Sequence, residues 1–348
     1  MFDLREESAR LAAEAAIDWA ALEGRRVMIT GVTGLVGSHC ARFLMERNRA
    51  CGCGITVVAP VRSLERAAEA LAGYGPADGL ELMECPDLAA FSAFDTPVDY
   101  IVHAACPTAS RFFMEHPVDT LRTITESTYR MLELARLQQA RGLVYISSME
   151  VYGDGNPAPG LEQLLSEDKV GYVNPLSTRS CYPEGKRMAE QLVAAYVSQH
   201  GVHGKVLRLA QTFGPGIAKT DTRVFAMMAR CAMTGEDIVL KTTGASTRMY
   251  CYPTDAVTAI FTALLAGEDG HAYNAANPAT YCSVREMGEA VARQNAGGAI
   301  RVVLDVDPNA PYPPEHHLPL DTSALQALGW RPQVGLAEMF ARLIAYLS

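Results

Sequence analysis

No uninterrupted apolar run in these 348 residues approaches the roughly 20 needed to span a bilayer, which argues against a membrane partner. The opening Met1-Phe2-Asp3-Leu4-Arg5-Glu6-Glu7 is too charged for a secretory signal, so a soluble, cytoplasmic protein is expected. A Cys-x-x-Cys pair is also missing. Cys51-Gly52-Cys53 has no second cluster to complete a zinc site, so no metal is expected. The nine cysteines are odd in number and scattered, which suits reduced thiols in the cytosol. Basic charge is in deficit, with 30 Lys and Arg against 39 Asp and Glu for a net charge of −9. That balance argues against a nucleic-acid surface, although a few local arginines can still hold a phosphate. Internal repeats and low-complexity segments are absent as well.

What remains is an ordinary globular composition, 49% hydrophobic and 20% charged, with mean hydropathy +0.04. Residues 3–20 carry helical periodicity and are expected to form an amphipathic helix in an N-terminal extension, residues 1–24. Apolar runs at 27–29, 55–59, 80–84, 98–103, 142–146 and 204–209 read as strands. Helical stretches at 35–48, 63–72, 117–138 and 182–200 separate most of them. Strand alternating with helix predicts an α/β fold, a Rossmann-like doubly wound parallel sheet over residues 25–210. Beyond 210 the elements shorten and Pro and Gly become frequent, as in Gly214-Pro215-Gly216 and Pro311 to Pro314. Helices are still legible near 223–233, 253–266, 283–294 and 335–347. Residues 211–348 are therefore expected to form mainly a smaller substrate-binding lobe, with some segments returning to the sheet.

Thr30-Gly31-Val32-Thr33-Gly34-Leu35-Val36-Gly37 follows the first strand and opens a helix. Glycines at 31, 34 and 37 allow a tight turn and close approach to a pyrophosphate, with Leu35 and Val36 at the helix N-terminus that would face its charge. An ordinary strand-to-helix turn is the plain alternative. The acidic residue expected about 20 positions on, for the adenosine ribose, is missing. Arg62 stands there instead. It can stack on adenine or pair with a 2′-phosphate, so both NAD and NADP stay open; a solvated arginine at a helix start is the alternative. Asp87-Leu88, after the third strand, can meet the adenine amino group, and Asp87 serves equally well as a helix cap.

Tyr182 and Lys186, four apart at the start of a helix, share one face. A nearby ammonium favours phenolate over phenol, so this tyrosine can take a proton from a sugar hydroxyl as hydride leaves the same carbon. Ser147-Ser148-Met149-Glu150 ends the fifth strand, where doubly wound sheets line their active crevice. Ser148 can hydrogen-bond the reacting hydroxyl, and Glu150 can act as a second acid or base. A polar strand-end cap and a solvated loop carboxylate are their plain alternatives.

Four segments in order, Thr30-Gly31-x-x-Gly34-x-x-Gly37, His103-Ala104-Ala105, Ser147-Ser148-x-Glu150-Val151-Tyr152-Gly153 and Tyr182-x-x-x-Lys186, resemble the extended short-chain dehydrogenase/reductases, the NAD-dependent epimerase/dehydratase family. The resemblance runs from residue 25 nearly to the end. Within it the likeness is to UDP-glucuronate decarboxylases (UDP-xylose synthases), carried by residues 105–110, 173–175, 179–187, 221–224 and 247–252. It implies a tightly held NAD, a nucleotide-diphosphate sugar as substrate, and cofactor contacts from Ala104 and Ala105 as well as the residues above. It implies that Arg223 lies near the sugar carboxylate and that Arg248 contacts the diphosphate. It also implies a homodimer, pairing the helices near 117–138 and 182–200 as a four-helix bundle.

Met149 departs from that pattern, because a thioether stands where relatives that decarboxylate or dehydrate usually carry Ser or Asp. It cannot donate a proton. Dehydration needs an acid to help hydroxide leave. Decarboxylation suffers less, because oxidising C4 of a glucuronate makes a β-keto acid that loses CO2 without one. The expected function is transient C4 oxidation followed by chemistry at C5, decarboxylation first. A 4-epimerase and a 4,6-dehydratase are the alternatives within the class, and a non-catalytic NAD(P)-binding sensor is the alternative outside it.

Overall fold

The computed structural model describes residues 2–108, 110–307 and 315–348. The proline run Pro311 to Pro314, and Ala109 within the 105–110 segment, lie outside the described residues. In chain order the first half comprises α1 (Leu4–Glu14), α2 (Trp19–Leu22), β1 (Arg26–Thr30), α3 (Leu35–Cys51), β2 (Thr56–Val61), α4 (Leu64–Ala70) and β3 (Leu80–Glu84). Next come β4 (Tyr100–His103), α5 (Ser110–Glu115), α6 (Pro117–Leu137), β5 (Gly142–Ser148), α7 (Cys181–His200), β6 (Gly204–Leu209) and β7 (Gln211–Thr212). The remainder holds α8 (Val224–Thr234), β8 (Ile238–Leu240), β9 (Thr247–Cys251), α9 (Pro253–Ala266), β10 (Ala272–Ala275) and β11 (Asn277–Ser283). It ends with α10 (Val284–Gln294), β12 (Val302–Leu304), β13 (His317–Leu318), α11 (Ser323–Ala327) and α12 (Leu336–Leu347).

Seven parallel strands form the main sheet in the order β10-β6-β5-β4-β1-β2-β3. Its strands read as continuous apolar runs because both faces are covered. Val27, Ile29, Val57, Val102 and Val144 point into one core, toward α3 and α9. Met28, Val58, Ile101, Leu143 and Tyr145 alternate into the other, where α6 and α7 pack on each other. Gly185 permits that contact: a Cβ there would come within 3.1 Å of the Ile124 side chain. Strand order reverses between β1 and β4, with Thr30 beside His103 in register. A crevice at this switch point is where such sheets bind ligands.

Two elements from the 211–348 stretch return to this sheet, one as a strand and one as a covering helix. Strand β10 extends it beside β6, and α9 lies over β5 and β6. Around them, α8, α10 and α12 with β8 and β12 enclose a third core centred on Phe213, stacked on Phe225 at 4.5 Å.

The expected helix over 3–20 is broken in two. Asp3 caps α1 by accepting from Arg5 N at 2.8 Å, and Asp18 caps α2 by accepting from Ala21 N at 3.3 Å. Aspartate prefers a cap to a helix interior because its short carboxylate competes for backbone N–H groups. The extension is part of the core: Ala12 is fully buried, and Glu7, 4% exposed, accepts from Tyr252 Oη and from Arg342 Nη1, both at 2.7 Å. Burial pushes the Glu7 carboxyl above its ordinary range, against the pull of Tyr252 and Arg342. Removing the cation alone strands a buried carboxylate. Arg342→Met is expected to destabilise the protein by about 3 kcal/mol, and the Glu7→Gln/Arg342→Met double variant to recover most of it, as read by urea unfolding.

Candidate active site

At the glycine turn the close approach is literal. Gly31 has φ +75°, and a Cβ there would sit 3.0 Å from both Cα and N of Ala105; at Gly37 it would sit 2.3 Å from the Gly31 carbonyl oxygen. Gly34 caps α3 with no side chain, and the first intrahelical bond runs from Ser38 N to Gly34 O at 3.0 Å. The N–H groups of Leu35, Val36 and Gly37 precede it and, as at any helix start, have no intrahelical acceptor, which suits them to an anion.

Thr30 locks this turn to β4. Its Oγ1 accepts from Ala104 N at 3.1 Å and Ala105 N at 3.0 Å, and lies 2.9 Å from His103 Nδ1. With both lone pairs taken, the Thr30 proton goes to Nδ1, which places the imidazole proton on Nε2. Nε2 lies 3.2 Å from Thr128 Oγ1, whose own proton goes to Ile124 O. Burial, reinforced by the Lys186 charge, drives His103 down to about 3, so it stays neutral. The cradle left by the missing Cβ atoms and these aligned amides fit a dinucleotide pyrophosphate.

Arg62, expected to meet the adenosine, follows β2 and is exposed. Asp87 takes the cap role, accepting from Ala89 N at 3.0 Å, while its other oxygen pairs with Arg122 at 2.6 Å. Leu88 beside it is half-buried.

Tyr182 and Lys186 stand in the first turns of α7, beside the C-terminal end of β5. The Lys186 ammonium donates to Ile146 O at 2.7 Å and lies 5.7 Å from the Tyr182 ring centre. Tyr182 is buried and stacks on Phe113 at 4.3 Å. Burial pushes its phenol well above the usual range; Cys106 and Glu150 add to this, while the Ser148 hydrogen bond and the Arg179 charge oppose it. In the protein by itself the phenol stands above its ordinary range, so the help expected of Lys186 does not prevail. Desolvation dominates, and the ammonium is engaged by a backbone carbonyl.

Ser148 caps the 3-10 turn Met149–Tyr152 by accepting from Glu150 N at 3.2 Å. Met149, 7% exposed, points into the core with Val151 and Tyr152, which leaves Ser148 and Glu150 half-exposed. Arg179 Nη2 donates to both Glu150 oxygens, at 3.0 and 2.7 Å. Ser148, Glu150, Tyr182 and Lys186 are thus brought together.

The two predicted substrate arginines have partners within the chain. Arg223 grips Asp221 through Nε at 3.0 Å and Nη2 at 2.5 Å, and this holds the Asp221 carboxyl below its ordinary range despite burial. Arg248 on β9 has Nη2 3.2 Å from His316 Nε2, and its Nε is buried with no acceptor among the described residues. Among the described residues no cluster of His, Cys, Asp or Glu is placed to hold a metal. Sequence reasoning assigned no role to Thr30, Cys106, Phe113 or Arg179. The buried polar pair Thr30 and His103, at neighbouring strand ends, is the signal that was there to be read.

The sequence matches the NAD dependent epimerase/dehydratase family over residues 27–276. The chain belongs to this family. It is an NAD-dependent enzyme of the extended short-chain dehydrogenase/reductase type. Among curated relatives, UDP-glucuronic acid decarboxylase 3 of Arabidopsis thaliana is 34% identical over 316 residues, covering 90% of this chain and 86% of that one. UDP-glucuronic acid decarboxylase 1 of Xenopus tropicalis is 33% identical over 323 residues, covering 92% of this chain and 72% of that one. The fold is that of the UDP-glucuronic acid 4-epimerase from Bacillus cereus, solved with UDP-glucuronic acid and NAD: TM-score 0.73 at 18% identity, covering 92% of this chain and 98% of that one.

The turn yields a direct test. Gly37→Ala must displace the Gly31 carbonyl, and it is expected to cost at least about tenfold in NAD affinity, measured by calorimetric titration.

Proposed function

We propose that this enzyme decarboxylates UDP-glucuronate to a pentose nucleotide through a transient C4 ketone. It is a nucleotide-sugar-modifying enzyme, and the observation that carries the reading is the Glu150 carboxylate set beside Ser148 and Tyr182. Residues Gly31, Gly34, Leu35, Val36, Gly37, Ala104 and Ala105 hold the pyrophosphate side of NAD, with Arg62, Asp87 and Leu88 toward the adenosine and Tyr182 and Lys186 toward the nicotinamide ribose. NAD, when bound, supplies the hydride acceptor for C4 and the donor that later returns the hydride. Tyr182 takes the C4 hydroxyl proton, with Ser148 aligning that hydroxyl and Lys186 fixing the tyrosine side of the crevice.

The C4 ketone turns the C6 carboxylate into that of a β-keto acid. The C5–C6 bond breaks, its electron pair moves into an enolate, and CO2 leaves. C5 then gains a proton that is drawn from solvent and relayed by Glu150, and Tyr182 returns its proton to O4 as the ketone is reduced. The likeness to UDP-glucuronic acid decarboxylases at 33–34% identity supports this substrate. Arg223 and Arg248 are the cations for the acidic sugar and the diphosphate.

Purified protein given UDP-glucuronate is expected to release CO2 and form a pentose nucleotide without net reduced nicotinamide. Glu150→Gln and Tyr182→Phe are each expected to lower turnover by about 10²-fold or more. Turnover of a neutral hexose nucleotide alone, or an epimer formed at the normal rate by Glu150→Gln, sinks the decarboxylase and favours a 4-epimerase.

The working form is a homodimer. The outward faces of α6 and α7 expose Val118, Leu121, Tyr129 and Met188, with Leu192 lining the groove between them. Two such faces make a four-helix bundle. Light scattering is expected to give twice the chain mass for the wild type and one chain mass for Met188→Glu. Among the described residues no helix is long and apolar enough to cross a membrane. Nine free cysteines suit the reducing cytoplasm.

A further inference from the structure

Arg179 lies in the 3-10 turn Thr178–Ser180 that leads into α7, three residues before Tyr182. One of its nitrogens, Nη2, holds both oxygens of Glu150, and each side chain of the pair is 31% exposed. Its guanidinium also lies over Phe113, 5.3 Å from the ring centre, and Phe113 is the ring stacked on Tyr182. The second amino nitrogen, Nη1, is buried with no acceptor among the described residues. A buried N–H left unpaired is costly, and a half-exposed ion pair contributes little to stability. As a stabilising device the arrangement is poor. As a positioning device it is coherent, because it fixes a flexible carboxylate at the crevice.

The groups facing Tyr182 are Cys106, Tyr145, Ser148, Glu150, Arg179 and Lys186. Lys186 has its ammonium on the Ile146 carbonyl, and the ion pair of Glu150 is with Arg179. The charges of Arg179 and Glu150 act on the Tyr182 phenol with opposite sign.

We propose that Arg179 is a positioning residue for Glu150, aiming its carboxylate at the C5 side of the sugar and offsetting its charge at the neighbouring tyrosine. This rests on the reading of Glu150 as the group that handles the C5 proton. Arg179 does its work through Glu150, so the two losses do not multiply.

The test is a kinetic cycle on full-length protein with UDP-glucuronate, comparing wild type, Arg179→Gln, Arg179→Lys, Glu150→Gln and the Arg179→Gln/Glu150→Gln double variant. Arg179→Gln is expected to lower kcat about 30-fold with KM changed less than about threefold, the pattern of a group that acts in the transition state. The double variant is expected to run within about threefold of Glu150→Gln, because residues acting as a unit are non-additive. Arg179→Lys keeps the charge and is expected to restore about tenfold of the loss.

Independent, multiplying losses overturn the proposal while leaving the function standing. Equal losses for the Lys and Gln variants, tracking a fall in melting temperature, overturn it in favour of a purely structural arginine. Undiminished turnover by Glu150→Gln, or no turnover of UDP-glucuronate by the wild type, overturns the reading beneath it as well.

Discussion

One hydroxyl, that of Thr30, joins the two strands on which the site depends. It accepts the N–H groups of Ala104 and Ala105 and reaches His103 across the reversal point of the sheet. The loop after β4 is thereby drawn down onto the glycine turn until Gly31 has no room for a side chain. An apolar residue at 30 would leave two amides and an imidazole nitrogen unsatisfied in a buried place, each at about 1–3 kcal/mol. The shape of the turn is therefore as much a product of this polar knot as of the glycines. The glycines allow the approach, and the threonine enforces it.

The same loop leads to Cys106 and, through α5, to Phe113, which closes over Tyr182. Enclosure works against the base: removing water from a phenol disfavours its ionised form, and desolvation leads the forces on Tyr182. Ser148 and Arg179 pull the other way, so the tyrosine's readiness is set by neighbours drawn from β5 and from the approach to α7. Lys186 contributes differently from the simple picture of an adjacent charge. Its ammonium ties α7 to the end of β5 through the Ile146 carbonyl.

Much of this was legible in sequence because the constraints behind it are local. A turn that needs positive φ at Gly31 must show a glycine, and strands buried on both faces must show unbroken apolar runs. Tyr182 and Lys186 were legible because a helix puts residues four apart on one face. Strand β10, Ala-Tyr-Asn-Ala, was not. Its Asn274 is fully buried only because Tyr152, Leu165 and Asp321 satisfy it, partners up to 122 positions away. The grip of Arg179 on Glu150 spans 29 positions and obeys no helical or strand period. Phe113 on Tyr182 is a similar case, an aromatic whose partner is chosen by tertiary packing. Segment 3–20 misled for the opposite reason, since its periodicity was real but Asp18 is a helix start.

Met149 acquires a physical meaning once its surroundings are known. The turn after β5 sends residues 149, 151 and 152 into the core and leaves 148 and 150 for the crevice. Ser148 accepts from the Glu150 backbone and carries no acidic proton, so Glu150 is the one carboxylate this turn offers. Dehydration asks more than that: a base must take the C5 proton while an acid delivers another to the departing hydroxide. Decarboxylation asks for a single proton at C5 after CO2 has gone, since the breaking C–C bond supplies the electrons itself. One proton carrier matches one proton. With position 149 turned into the core, no second acid stands beside Glu150 in this turn, and the dehydratase reaction needs one that the decarboxylase reaction can do without.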